Sequence, residues 1–226
     1  MSIITERIKE IQNDIKKHSS YPQKVKLVAV TKYPTVDKPK LEELIDNEIL
    51  DFGENRVQVL EDKRELLGEE KNNINWNFIG NLQKNKVKYI IGYIHMIHSI
   101  NRISIAEEIN KRAKSVKRVI DVLIEINLSG EDSKEGYKES DFYKDLPELI
   151  KLENIKIKGL MTIAPNTDDE EKIRASFRKL REIKDDLNKK YFNGTLSELS
   201  MGMSHDYKIA LEEGATIIRV GSKLYS

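Results

Sequence analysis

The stretch V-K-L-V-A-V-T-K-Y, residues 25–33, is followed at once by Pro34. It is a short, β-branched apolar run with punctuation at its end, the pattern of a strand buried on both faces in a parallel sheet. Side chains alternate along a strand, so Val28, Val30 and Lys32 share one face while Leu27, Ala29 and Thr31 share the other. If the first face lines a barrel, Lys32 is an amine at the rim of an apolar interior. Burial there disfavours the ammonium and leaves more of the free, nucleophilic amine, which is what trapping a carbonyl compound requires. The alternative is a strand-end lysine reaching into water, the commoner place for lysine. Position alone does not decide between the two.

Around this strand the chain has 226 residues, enough for one large core. Its 39 basic and 38 acidic residues leave a formal net charge of +1, so no overall field draws in nucleic acid or an anionic membrane. No basic footprint of nucleic-acid binding is evident. The absence of cysteine excludes disulfides, thiolate zinc sites and cysteine nucleophiles together. The opening residues, M-S-I-I-T-E-R-I-K-E, lack the apolar core of a signal peptide. The most apolar stretch, residues 89–100, holds two histidines and is too short to span a bilayer. A soluble, cytoplasmic protein is expected.

Ile4, Ile8, Ile11 and Ile15 recur at helical spacing and predict an amphipathic N-terminal helix. After the first strand, further strands are predicted over residues 49–55, 76–80, 94–100, 119–128, 155–163, 199–204 and 215–221, with helical patterns between them. The segment S-G-E-D-S-K-E-G, residues 129–136, reads as a long surface loop. This alternation predicts an α/β fold, a single TIM-type (β/α)8 barrel domain spanning residues 1–226 with an extra N-terminal helix. A doubly wound open sheet is the alternative. No closing helix is predicted after the last strand, and the N-terminal helix is expected to cover the seam between the last strand and the first.

Barrels of this kind gather their chemistry at the C-terminal ends of strands and commonly bind phosphate after the seventh and eighth. The polar residues fall there: Lys32, then Glu54-Asn55-Arg56, Gly80-Asn81, M-G-M-S at residues 201–204, and R-V-G-S at residues 219–222. Glycines beside small hydroxyls, with free backbone N–H groups, make a concavity that suits a phosphate. Either segment alone is more often a tight turn, and their joint position is what raises the signal. Arg219 shares a face with Gly221 and should point into the barrel mouth, or else pair with a carboxylate such as Glu54. His95 and His98, three apart in a strand, should face opposite sides, which argues against a shared metal. His205 stands beside the phosphate loop, with a helix start as its alternative role, and His18 lies on an exposed helix. No metal site is predicted.

A lysine at the first strand and a phosphate cradle at the last two would together hold an aldehyde phosphate. At this point the sequence resembles the pyridoxal phosphate homeostasis protein family, which is similar to the barrel domain of alanine racemases. The resembling segments are A-V-T-K (29–32), F-G-E-N-R-V-Q (52–58), F-I-G-N-L-Q-K-N-K (78–86), G-L-M-T-I (159–163), L-S-M-G-M-S-H-D (199–206) and I-R-V-G-S (218–222). The resemblance implies that Lys32 carries pyridoxal 5′-phosphate through its aldehyde, that Asn55 lies beside the cofactor, and that Arg219 faces its pyridine nitrogen. It implies that Ser204, Gly221 and Ser222 bind the phosphate, with Met203 and Val220 supplying backbone contacts. Where the family usually has a histidine before F-I-G, this chain has Asn77, which puts a proton-transfer role at that position in doubt.

The function implied is cofactor storage and delivery in pyridoxal phosphate homeostasis, without robust turnover. Recipients would be apo-enzymes that depend on the cofactor, and the protein itself a monomer or weak homodimer. The alternatives are a racemase-like enzyme acting on amino acids, or a barrel enzyme acting on another phosphorylated metabolite. A racemase needs an acid/base on each face of the substrate carbon, and Lys32 supplies one. In alanine racemases the opposing tyrosine comes from a second domain, for which this sequence offers no counterpart.

Overall fold

In the computed structural model of the protein, which describes residues 2–131 and 135–226, eight parallel strands follow one another in chain order and the last closes on the first. They are β1 (Lys26–Val30), β2 (Asp51–Glu54), β3 (Asn75–Phe78), β4 (Met96–Ile100), β5 (Ile120–Glu125), β6 (Ile155–Met161), β7 (Glu198–Ser200) and β8 (Ile217–Val220). Lys26, Leu27, Val28 and Ala29 of β1 pair with Ile217, Ile218, Arg219 and Val220 of β8, which excludes the open sheet. The helices are α1 (Ile3–His18), α2 (Lys38–Asp46), α3 (Val57–Leu67), α4 (Lys84–Ile90), α5 (Ile103–Ser115), α6 (Glu139–Leu149), α7 (Glu170–Leu187), α8 (Tyr207–Glu212) and α9 (Ser222–Tyr225).

The period-two alternation sorts the apolar residues into two cores. Leu27, Ala29, Phe52, Trp76 and Leu160 face outward and pack beneath Leu41, Leu60, Val87, Ile109 and Phe177 of the helices. Val28, Met96, Leu123, Met161 and Ile217 form a separate, smaller cluster. These are the inward positions of their strands, and Val28 is the partner that places Lys32, four residues on, above the barrel interior.

All four isoleucines of the α1 stripe are buried. The helix packs against α2, α8 and α9, over the seam where β8 meets β1. Lys223 lies 2.7 Å from Glu10 and Lys208 lies 3.2 Å from Asp14, which also accepts from the Tyr207 hydroxyl. The C-terminus differs from expectation: one helical turn, α9, follows β8, because Gly221 leaves the strand and Leu224 folds back into the core.

The ladders end before the apolar runs do. Hydrophobicity marks burial, whereas a strand ends where backbone pairing stops, so Lys32, Asn55, Gly80, Met203 and Ser204 all stand in loops beyond their strands. Of the loop expected over residues 129–136, residues 132–134 lie outside the described residues. Among the described residues no helix is long and apolar enough to cross a membrane.

The buried stripe of α1 carries a measurable cost. Ile11 is 0% exposed, and Ile11→Ala should lower unfolding free energy by about 2–5 kcal/mol in denaturant titration. Ile3, 48% exposed, is the matched control and its alanine variant should change little.

Candidate functional site

The loops at the C-terminal ends of the strands enclose a cavity of about 360 Å³. Seven of the eight residues expected at the site line it: Lys32, Asn55, Met203, Ser204, Arg219, Gly221 and Ser222. Val220 does not. Its neighbours Arg219 and Gly221 face inward, so alternation turns the Val220 side chain outward into the helix-covered core.

Lys32 is exposed at the rim of this cavity and not buried as the apolar run suggested, because the β1 ladder stops two residues before it. Its Nζ stands 5.7 Å from the centre of the Tyr33 ring. Tyr33 fills the notch that Gly221 leaves: a Cβ on Gly221 would lie 2.8 Å from Tyr33 Cε2 and 3.1 Å from Val30 Cβ. Gly80 acts likewise on the other side. A Cβ there would meet the Asn55 carbonyl oxygen at 2.4 Å and Asn55 Cα at 2.7 Å, so this glycine lets the loops after β2 and β3 close together and seat Asn55 at the mouth.

The two glycine–serine segments expected to cradle a phosphate meet at the cavity wall. The backbone N–H groups of Gly221 and Lys223 both donate to Ser204 Oγ, at 3.2 and 3.3 Å. Two donors converging on one oxygen define an acceptor position, and Ser222 stands beside it on the same cavity.

Arg219 is 3% exposed yet reaches the cavity wall. Its Nη1 donates to Ser200 Oγ at 2.6 Å and its Nη2 to the Thr162 carbonyl at 3.0 Å. Burial pushes the guanidinium down to about 10, partly offset by attraction to Glu125 and Asp206, so it remains charged at neutral pH. The alternative pairing with Glu54 is not formed. Glu54 faces outward from β2, accepts from Thr31 Oγ1 at 2.5 Å and lies 3.1 Å from Lys63 Nζ.

Asn77 is buried inside the barrel and does not line the cavity, so it is not among the groups at the mouth. It meets His98, which is fully buried, whereas His95 is exposed. His205 lines the cavity; the residue at the α8 N-cap is Asp206. Sequence reasoning missed Tyr33, His98, Ser200 and Glu125. Strand parity places the last three on inward faces, but nothing in the sequence says which of them meet across the barrel.

An exposed amine, a charged guanidinium, two hydroxyls and paired backbone N–H groups surround one cavity. That donor set fits a ligand with an aldehyde, a ring nitrogen and a phosphate, as in pyridoxal 5′-phosphate. The family model described as alanine racemase, N-terminal domain, matches residues 3–226. A pyridoxal phosphate homeostasis protein of Aquifex aeolicus is 47% identical over 174 residues, covering 77% of this chain and 75% of that protein. This chain belongs to the pyridoxal phosphate homeostasis protein family. Another member, from Vibrio alginolyticus, is 35% identical, with 100% of this chain and 97% of that one covered. Among solved structures, PipY of Synechococcus elongatus with PLP bound has a TM-score of 0.88 at 30% identity, covering 99% of this chain and 100% of that one. An alanine racemase of Clostridium difficile shares the fold, with a TM-score of 0.71 at 18% identity over 94% of this chain and 54% of that one.

In this member of the family, Glu125 offers a direct test of the interior. Burial pushes its carboxyl from 4.5 up to about 7 against the attraction of Arg219. A carboxyl raised in the folded state costs nothing below its unfolded value. The cost accumulates between about pH 4.5 and 7 and is complete above, reaching on the order of 3 kcal/mol. Glu125→Gln should therefore be close to neutral at pH 4 and raise the Tm relative to the parent at pH 8.

Proposed function

We propose that the protein binds pyridoxal 5′-phosphate at the barrel mouth and holds it for storage and delivery in cofactor homeostasis, without sustained turnover. The observation that carries this reading is the convergence of Lys32, Arg219 and the Ser204–Gly221 cradle on one cavity. A relative of 30% identity, PipY, has a structure with PLP bound, which supports the same ligand here. When bound, the cofactor supplies an aldehyde that links to an amine and a ring that draws electrons from the carbon attached there.

Lys32 would make that link through Nζ. Its exposed position would leave the ligand carbon joined to Nζ open to attack by a competing amine, with the Lys32 amine as the leaving group, which suits a ligand that has to be released. Asn55, seated by Gly80, would lie beside the ring. Ser204 and Ser222, with the Gly221 N–H, would hold the phosphate, and Met203 and Val220 would contribute backbone only. The recipients proposed are apo-enzymes that depend on the cofactor.

Arg219 accounts for the weak catalysis proposed. Electron withdrawal works best with the ring nitrogen protonated, which a neighbouring carboxylate favours and a permanently charged guanidinium disfavours. Held against the ring nitrogen, Arg219 would keep the ring a poor sink for electrons. Tyr33 and His205 line the same cavity and are the groups a racemase-like activity would need as a second acid/base.

Two measurements test the reading. Borohydride reduction of the loaded protein followed by peptide mapping should place the pyridoxyl group on Lys32, and Lys32→Ala should lose the visible absorbance. Label on another lysine, with full absorbance in Lys32→Ala, rejects the assignment. Incubation with L-alanine in deuterated water should show little α-proton exchange; exchange at an ordinary enzymatic rate, on the order of 10 per second, replaces the carrier with a racemase-like enzyme.

A further inference from the structure

A column of hydrogen bonds crosses the barrel interior and ends on Arg219. Asn77 Nδ2 lies 3.2 Å from Asp51 Oδ1 and 2.8 Å from the Asn75 carbonyl. His98 Nε2 is 3.1 Å from Asn77 Oδ1, and His98 Nδ1 is 3.0 Å from Ser200 Oγ. Ser200 Oγ receives Arg219 Nη1 at 2.6 Å. Asn77, His98, Ser200 and Arg219 are each no more than 3% exposed, so water does not substitute for any of these partners.

The proton positions follow in order from the far end. A carboxylate oxygen and a backbone carbonyl are acceptors, so the atom of Asn77 that faces both is the amide nitrogen. Its oxygen then faces His98, and Nε2 carries the ring proton. Burial and the charge of Arg219 hold His98 well below its ordinary value, so the ring is neutral and Nδ1 is left as an acceptor. The Ser200 hydroxyl spends its single proton on Nδ1. Its lone pairs are thereby turned to Arg219. The Thr162 carbonyl fixes the second terminal nitrogen.

We propose that Asn77, His98 and Ser200 are positioning residues that fix the Arg219 guanidinium through neutral acceptors, leaving its charge uncompensated by any hydrogen-bonded carboxylate and directed to a ring nitrogen at the mouth. The proposal rests on the assignment of Arg219 to the ring nitrogen made above. Buried acceptors of this kind do two things that packing alone does not: they select one rotamer of a long side chain, and they leave its charge available to the ligand. A carboxylate in place of Ser200 would draw the guanidinium down and spend the charge within the barrel. Glu125 and Asp206 attract Arg219 without hydrogen-bonding to it.

The test uses full-length protein and pyridoxal 5′-phosphate labelled with ¹⁵N in the ring, read by affinity and by the ring-nitrogen NMR shift. Ser200→Ala should weaken binding about tenfold, the loss expected for one hydrogen bond to a buried charge, and should move the shift in the same direction as Arg219→Gln. On the Arg219→Gln background it should change affinity less than about twofold, because the acceptor then has no charge to position. Ser200→Thr, which keeps the hydroxyl, should restore both readings. His98→Leu, which leaves the cavity wall untouched, should act in the same direction as Ser200→Ala and serves where that variant does not fold. A parental ring shift in folded Ser200→Ala or His98→Leu, or effects that multiply with Arg219→Gln, overturns the proposal while leaving the role of Arg219 intact. An Arg219→Gln variant with parental affinity and shift removes the underlying assignment and the proposal with it.

Discussion

A guanidinium inside a closed barrel dictates much of what surrounds it. Moving such a charge out of water costs several kcal/mol unless its donors are matched, and Arg219 is 3% exposed. The Ser200 hydroxyl and the Thr162 carbonyl supply the match without neutralising the charge. Each acceptor then needs its own partner, and the chain of partners runs through His98 and Asn77 to Asp51 at the start of β2. Val28, Met96, Leu123, Met161 and Ile217 pack as the apolar part of the same interior. The interior is thus divided between a dry cluster and a polar column, and the column exists because of one arginine.

The fold was legible because its signal repeats. A single apolar run such as residues 25–33 is ambiguous, but eight runs separated by helical stripes admit few architectures, and the isoleucines of α1 had no other face to bury. The site was legible where alternation alone decides orientation. Continued past Val28 and Val30 of β1 and past Arg219 of β8, the alternation puts Lys32 and Gly221 at the mouth beside Arg219. The same parity would have separated Glu54 from Arg219, since Asn55 faces inward and Glu54 therefore outward, where Lys63 meets it.

Contacts across the barrel were not legible. The sequences around His98 and Ser200 read as ordinary strand, and their meeting depends on the stagger accumulated across β5 and β6, the two strands between them. That stagger includes register shifts between Ile97 and Ile100 and between Val122 and Leu123, which leave no trace in periodicity. The exposure of Lys32 was misjudged for a related reason: an apolar run reports where side chains are buried, and the residue just past the last paired backbone group is free of that rule.

The fastening of α1 joins it to the two segments that frame the cavity. Glu10 and Asp14 hold Lys223, Lys208 and Tyr207, which belong to the elements that begin just after the Ser204 and Gly221 loops. A molecule that binds only while those loops are in place raises the free energy of any opening that releases them, by RT ln(1 + [L]/Kd), or about 2.7 kcal/mol when free ligand stands a hundredfold above Kd. Amide hydrogen exchange in α1 reads that linkage directly, and exchange indifferent to ligand would dissolve it. A helix that lines none of the cavity is in this way joined to its rim through three side chains.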